Sequence, residues 1–210
     1  MDNDKYGVRV ERRQPEEHMK EPEIDYWYPH KWVEEYRRTG TIQRWHDDYP
    51  HLFDGSRGTI KPFPNNTTSN LSTYALMYLL RRDEGVESLT YFRLPAKAKS
   101  VGGRREALQK HLRTWMGNDL FERLRTEIRA ANFTKQGFEG EPDLFCWNPT
   151  NGEWFFAEAK GDDKLTETQL RWFAVCRATL PGVSIKVCRA RPLPVGQTHA
   201  AGLPQTTSAK

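Results

Sequence analysis

Asp143, Glu158 and Lys160 are the residues of this 210-residue chain whose types and spacing best suit chemistry. Asp143 follows Pro142 and opens a short apolar run, Leu144-Phe145-Cys146-Trp147. A second apolar run, Trp154-Phe155-Phe156-Ala157, leads directly into Glu158-Ala159-Lys160-Gly161. Two carboxylates can hold a hard divalent cation such as Mg²⁺ through their oxygens. Such an ion polarises a phosphate and acidifies a bound water. A neighbouring lysine orients that water or offsets charge developing in the transition state. The chemistry suggested is phosphodiester hydrolysis. Asp-x(14)-Glu-x-Lys alone has little specificity, so the surrounding elements decide.

The spacing makes structural sense. Two runs rich in Phe and Trp, separated by Asn148-Pro149-Thr150-Asn151-Gly152, predict a β-hairpin. Strand side chains alternate between faces, which puts Glu158 and Lys160 on one face and Ala157 and Ala159 on the other. Pairing Leu144–Trp147 with Trp154–Ala157 brings Asp143 beside Glu158 at the strand ends. Downstream, Thr166-Glu167-Thr168-Gln169 is a capping box opening a helix, with Leu170, Phe173, Ala174 and Arg177 at helical spacing and Leu180-Pro181-Gly182 as its stop. Gln169 has two readings, as the capping residue or as a side chain reaching toward the acidic pair, and one residue can serve both. Alternating Val183, Ile185 and Val187 predict a further strand. The order strand, strand, helix, strand describes a mixed α/β core with its chemistry at one edge of the sheet.

The net charge is +4 and the hydrophobic fraction 37%, enough to bury one sizeable core. From Lys97 to Lys135 ten basic residues stand against four acidic ones. Leu108, Leu112, Trp115 and Met116 form one helical stripe and Leu120, Leu124 and Ile128 another. The outer faces of these helices, with Arg104, Arg105, Lys110 and Arg113, are either a solvated surface or a track for a phosphate backbone. Cys146, Cys176 and Cys188 predict buried, reduced thiols. No run approaches the ~20 apolar residues of a membrane span, and no apolar secretory segment stands at the start. Folding in the cytoplasm is expected, with delivery into target cells by a machine that reads no signal peptide as the alternative. Residues 1–24 are charge-dense with few aliphatics, and residues 191–210 read as a disordered tail. Tyr26, Trp27, Tyr28 and Trp32 precede a helix ending near Gly40. They either anchor this segment to the core or stack on bases. His46 and His51 read as part of an exposed polar loop or, less economically, a second metal site.

Taken together, Gly140, Pro142-Asp143-Leu144, Glu158-Ala159-Lys160-Gly161, Leu165-Thr166 and Gln169 resemble the VRR-NUC branch of the PD-(D/E)XK nucleases. The likeness covers about residues 124–191. It implies a restriction-endonuclease-like core, a mixed sheet flanked by helices, within a single domain of residues 25–190 that has a helical N-terminal extension. It implies a Mg²⁺- or Mn²⁺-dependent deoxyribonuclease. Asp143, Glu158 and Ala159 would be the metal ligands, Lys160 and Gln169 would complete the catalytic set, and DNA would be the partner.

Family members normally carry a further acidic residue on a preceding helix. In this chain Asn65-Asn66-Thr67-Thr68-Ser69-Asn70 leads into the apolar run Leu71–Leu80, and amides stand where that acid is expected. Glu84, Glu87, Glu106 and Glu127 are the alternative sources. The resemblance leaves three roles open: a DNA repair or phage enzyme, an interbacterial toxin with a cognate immunity protein, and an inactive nucleic-acid-binding or interaction module.

Overall fold

The computed structural model describes residues 23–56, 70–94, 104–131 and 140–195. Its centre is the hairpin. β3 (Leu144–Trp147) and β4 (Trp154–Lys160) pair antiparallel, with Leu144 opposite Ala157 and Trp147 opposite Trp154. Asn148 and Gly152 close the turn: Asn148 N–H donates to the Glu153 carbonyl and Gly152 N–H to the Asn148 carbonyl. This is the register that the turn residues and the apolar alternation predict.

Three strands flank the hairpin, giving a five-stranded mixed sheet in the order β1-β5-β4-β3-β2. β2 (Glu87–Thr90) is antiparallel to β3, while β5 (Ile185–Pro192) lies parallel to β4 and β1 (Glu23–Tyr28) parallel to β5. α7 (Glu167–Thr179) makes the crossover between β4 and β5, as parallel neighbours require.

Helices cover both faces. On one, α4 (Leu71–Glu84) packs with α1 (Lys31–Thr39), α2 (Gln43–Asp48) and α3 (Pro50–Phe53) over Leu144, Cys146, Phe155, Ala157 and Cys188. α4 buries Leu71 and Thr73 through Leu80. A helix so apolar all round must be covered on every side, and the N-terminal helices supply that cover. Trp32 meets Trp45 and Tyr78 edge-on at centroid distances of 5.4 and 5.3 Å. On the opposite face α5 (Arg104–Met116), α6 (Asn118–Ala130) and α7 pack over Phe145, Trp147, Phe156, Ile185 and Val187. This is the expected α/β core, a mixed sheet between helices. The described residues include no helix long and apolar enough to cross a membrane.

Several sequence expectations need correction. The aromatic cluster Tyr26-Trp27-Tyr28 is not only a prelude to a helix: it is an edge strand, so the N-terminal extension is helical after β1 and contributes to the sheet. Tyr26, Tyr28 and Trp32 are buried, which fits anchoring rather than base stacking. The last strand begins at Ile185 rather than Val183 and runs past residue 190 to Pro192 because β1 continues to pair with it. Phe121, not Leu120, fills the α6 stripe, and Leu120 is exposed. Leu170 is exposed as well, and Trp172, Phe173 and Cys176 form the buried side of α7. His46 and His51 sit on α2 and α3 rather than in a loop. The three cysteines are buried and free, as expected. Residues 1–22 and 196–210, and Lys97, Lys99, Lys135 and Asn65–Ser69, lie outside the described residues.

Candidate active site

Hairpin register sets the site. Because Leu144 faces Ala157, the preceding Asp143 arrives beside Glu158 and Ala159, and its Oδ2 accepts the Ala159 N–H at 3.0 Å. Glu158 is 1% exposed and Lys160 5%. Two residues apart on one strand face, they meet as the alternation requires, with Lys160 Nζ 3.1 Å from Glu158 Oε1. Lys160 Nζ also donates to Asp163 Oδ2 at 2.9 Å. Asp163 in turn accepts the Gly161 N–H, folding the loop after β4 back onto the lysine. Arg189 of β5 braces that loop by donating to the Gly161 and Asp163 carbonyls.

Gln169 performs both of its expected tasks. Thr166 N–H donates to Gln169 Oε1 and Gln169 N–H to Thr166 Oγ1, completing the capping box. The same side chain donates through Nε2 to Glu158 Oε1. Gly140 allows this approach. Its φ is +81°, and a Cβ there would lie 2.3 Å from the Thr168 carbonyl oxygen, so only glycine lets the chain pass the first turn of α7. Glu141 then fixes the approach from the other side by accepting the N–H groups of Arg93 and Leu94.

These groups open onto a cavity of about 350 Å³. It is lined by Asp143, Glu158, Ala159 and Lys160 of the hairpin, by Gly161, Asp163 and Gln169 that follow it, and by Asn70, Ser72 and Thr73 at the start of α4. The α4 residues were not singled out from the sequence, although Asn70 ends the amide run that stands where an acid is expected. Glu84, Glu87, Glu106 and Glu127 do not line the cavity. α4 is 14 residues long, which places Glu84 about 20 Å from its first turn.

The electrostatics are those of an incomplete site. Burial, followed by the charge of Asp143, pushes Glu158 up to about 8. Burial raises Asp143 to about 6 against the opposing Ala159 N–H and Lys160 charge. Burial works to lower Lys160, but the hydrogen bond to Asp163 and the charge of Glu158 outweigh it and leave its pKa raised, so it is an ammonium at neutral pH. Glu158 Oε2 is buried and makes no hydrogen bond among the described residues. A buried carboxylate oxygen with no donor is costly, and a cation would satisfy it. The donor set of two carboxylates and the Ala159 carbonyl is the hard-oxygen chemistry of Mg²⁺ or Mn²⁺. No group of three His, Cys, Asp or Glu side chains arranged for a metal is found among the described residues.

Residues 100–192 match the VRR-NUC domain. The matched segment includes α5 to β5, and therefore Asp143, Glu158, Lys160 and Gln169, whereas β1, α1 to α4 and β2 precede it. Among solved structures, a crystal structure of paFAN1 bound to 2-nt 5′-flap DNA with a gap is similar at 16% identity and a TM-score of 0.32, covering 84% of this chain and 38% of that one. The chain thus spans well under two thirds of the length of that structure. No curated protein matches it.

The basic helices are less uniform than their sequence suggests. Lys110 is exposed on α5. Arg113 donates to Glu122 Oε1 at 3.0 Å, and its guanidinium lies 4.2 Å from the Phe121 ring centroid. Arg104 and Arg105 open α5, and their side chains lie outside the described part of the structure.

Proposed function

We propose that this domain hydrolyses phosphodiester bonds in DNA and requires Mg²⁺ or Mn²⁺. The observation that carries the reading is the buried pair Asp143 and Glu158, with Glu158 Oε2 left without a donor beside Lys160 in an open cavity. Asp143, Glu158 and the Ala159 carbonyl would hold the ion. When bound, it polarises the phosphate and lowers the pKa of a water. Gln169 fixes Glu158 through Oε1 and so leaves Oε2 for the ion. Lys160 is already protonated, so it acts as a donor that offsets charge developing on phosphate oxygens rather than as a general base. Asp163 holds it in position.

Plasmid incubated with purified protein should be cut with Mg²⁺ and left intact with EDTA. Equal cleavage in both tubes sinks the metal assignment. A second reading, an inactive nucleic-acid-binding module, draws on the lack of an acid in the first turn of α4. It predicts DNA binding with no cleavage at any Mg²⁺ concentration. Expression in bacteria separates the cellular roles: a toxin kills and nicks the chromosome, whereas a repair or phage enzyme does little harm.

A further inference from the structure

The two sides of the cavity carry opposite chemistry. The strand side is acidic, with Asp143 and Glu158 offset by Lys160. The α4 side is neutral and donating. α4 has no acid in its first turn, and its N-cap Asn70 makes no side-chain capping hydrogen bond. The first N–H groups of a helix have no intrahelical acceptor, and they carry the positive end of the helix dipole. Thr73, in that turn, is 8% exposed and lines the cavity, yet its hydroxyl makes no hydrogen bond among the described residues. Asn70 Oδ1 accepts the Tyr91 hydroxyl at 3.4 Å, which leaves its amide N–H groups as donors. Tyr91 makes this contact from a left-handed backbone, φ +55°. A helix start whose N-cap side chain makes no capping hydrogen bond, a nearly buried threonine whose hydroxyl has no partner among the described residues, and a tethered amide form a set that suits an oxyanion, not a cation.

We propose that the first turn of α4, through Thr73 and Asn70, holds the phosphate of the substrate, so that the divalent cation binds tightly only together with that phosphate. The proposal rests on the nuclease reading and deepens it. Two carboxylates give the ion few charged ligands, and phosphate oxygens supply the rest. Each ligand then raises the affinity of the other by the same factor, as linkage requires. The neutral α4 becomes a device that makes metal loading depend on substrate.

The test is Mn²⁺ binding to the full chain, followed by electron paramagnetic resonance with and without thymidine 5′-monophosphate, which carries a phosphate but no diester to cut. Mn²⁺ should bind weakly alone and more tightly with the nucleotide, within the roughly 5–150-fold range of ordinary coupling. The nucleotide should bind more tightly with Mn²⁺ by the same factor. Thr73→Val keeps the shape and removes the hydroxyl. It should lose most of the coupling while leaving Mn²⁺ binding alone unchanged. Thr73→Ser should retain the coupling, which guards against a folding artefact, and circular dichroism melts check both. Asn70→Asp should tighten Mn²⁺ binding alone and shrink the coupling. Equal Mn²⁺ affinity with and without nucleotide overturns the proposal but leaves the nuclease reading intact. So does weaker Mn²⁺ binding alone in Thr73→Val, which would make the hydroxyl a cation ligand. No Mn²⁺ binding under either condition overturns both.

Discussion

Glu87 and Glu158 are both glutamates on strands of the same sheet, 9% and 1% exposed, and each has basic residues beside it. Their surroundings differ. Glu87 Oε2 meets His51 Nε2 at 3.1 Å and Oε1 meets Arg81 Nε at 3.0 Å, so both oxygens face a basic group. Glu158 takes Gln169 and Lys160 on Oε1, Lys160 is shared with Asp163, and Oε2 has no hydrogen-bond partner among the described residues. On the proposed nuclease reading, the difference separates structural from functional charge. A carboxylate that stabilises the fold has its lone pairs answered within the protein, and one kept for chemistry leaves an oxygen open at a cost in stability.

The largest expected effect tests this contrast in activity. Asp143→Ala and Glu158→Ala should each abolish plasmid nicking in Mg²⁺, and Lys160→Ala should lower it on the order of 10²–10³-fold, as for other preorganised donors. Glu87→Ala should leave the rate per folded molecule unchanged. A fully active Glu158→Ala protein would break the comparison.

Stability should move the other way. Glu158, raised by burial and by Asp143 to about 8, keeps its proton in the folded state at a pH where an unfolded glutamate has lost it. A raised carboxyl contributes stability below its unfolded pKa and loses that contribution as pH climbs through the folded one. The cation-free protein should therefore melt at a lower temperature at pH 9 than at pH 6. Glu158→Gln should flatten this dependence, and Mg²⁺ should restore the wild type at pH 9 but not the variant. Glu87→Gln should destabilise by about 1–3 kcal/mol, because it removes the charge facing Arg81 and weakens the acceptor for His51. That corresponds to a fall in Tm of roughly 2–4 °C per kcal/mol for a chain of this size. Scanning calorimetry across pH reads both.

The smallest effect extends the distinction to the basic helices. Arg113 is answered by Glu122 and Phe121, whereas Lys110 is exposed. If α5 tracks a phosphate backbone, replacing Arg104, Arg105 or Lys110 by Ala should each reduce the log–log salt slope of duplex binding by about 0.9. Arg113→Ala should reduce it less and should lower thermal stability instead. An unchanged slope in all four would make this surface merely solvated.

How much could be read beforehand followed the range of the interactions. The hairpin register, the meeting of Asp143 with Glu158 and the capping box at Thr166 depend on turn chemistry and side-chain alternation within a few residues, and they were legible. The edge strand β1 was not, because its parallel partner β5 lies more than 150 residues away and leaves no local signature. Phe121 and Leu120 are equally apolar neighbours, and only the position of the sheet selected Phe121. Thr73 looked like one more residue of a buried helix until packing placed the first turn of α4 at the mouth of the hairpin.

Sequence by itself determined the ingredients: two carboxylates brought together by strand register, a lysine on the same face, and a glutamine that caps one helix while touching the acid. Tertiary structure alone decided which oxygen stayed open and which acids were excluded. Glu84 does not line the cavity because α4 is a rigid rod that holds it at its far end, and Glu87 on β2 meets His51 and Arg81 instead, while Asn70 and Thr73 stand at the near end of α4. Residue type states what a side chain is able to bind. Burial and the partners supplied by distant elements determine whether that capacity is already used.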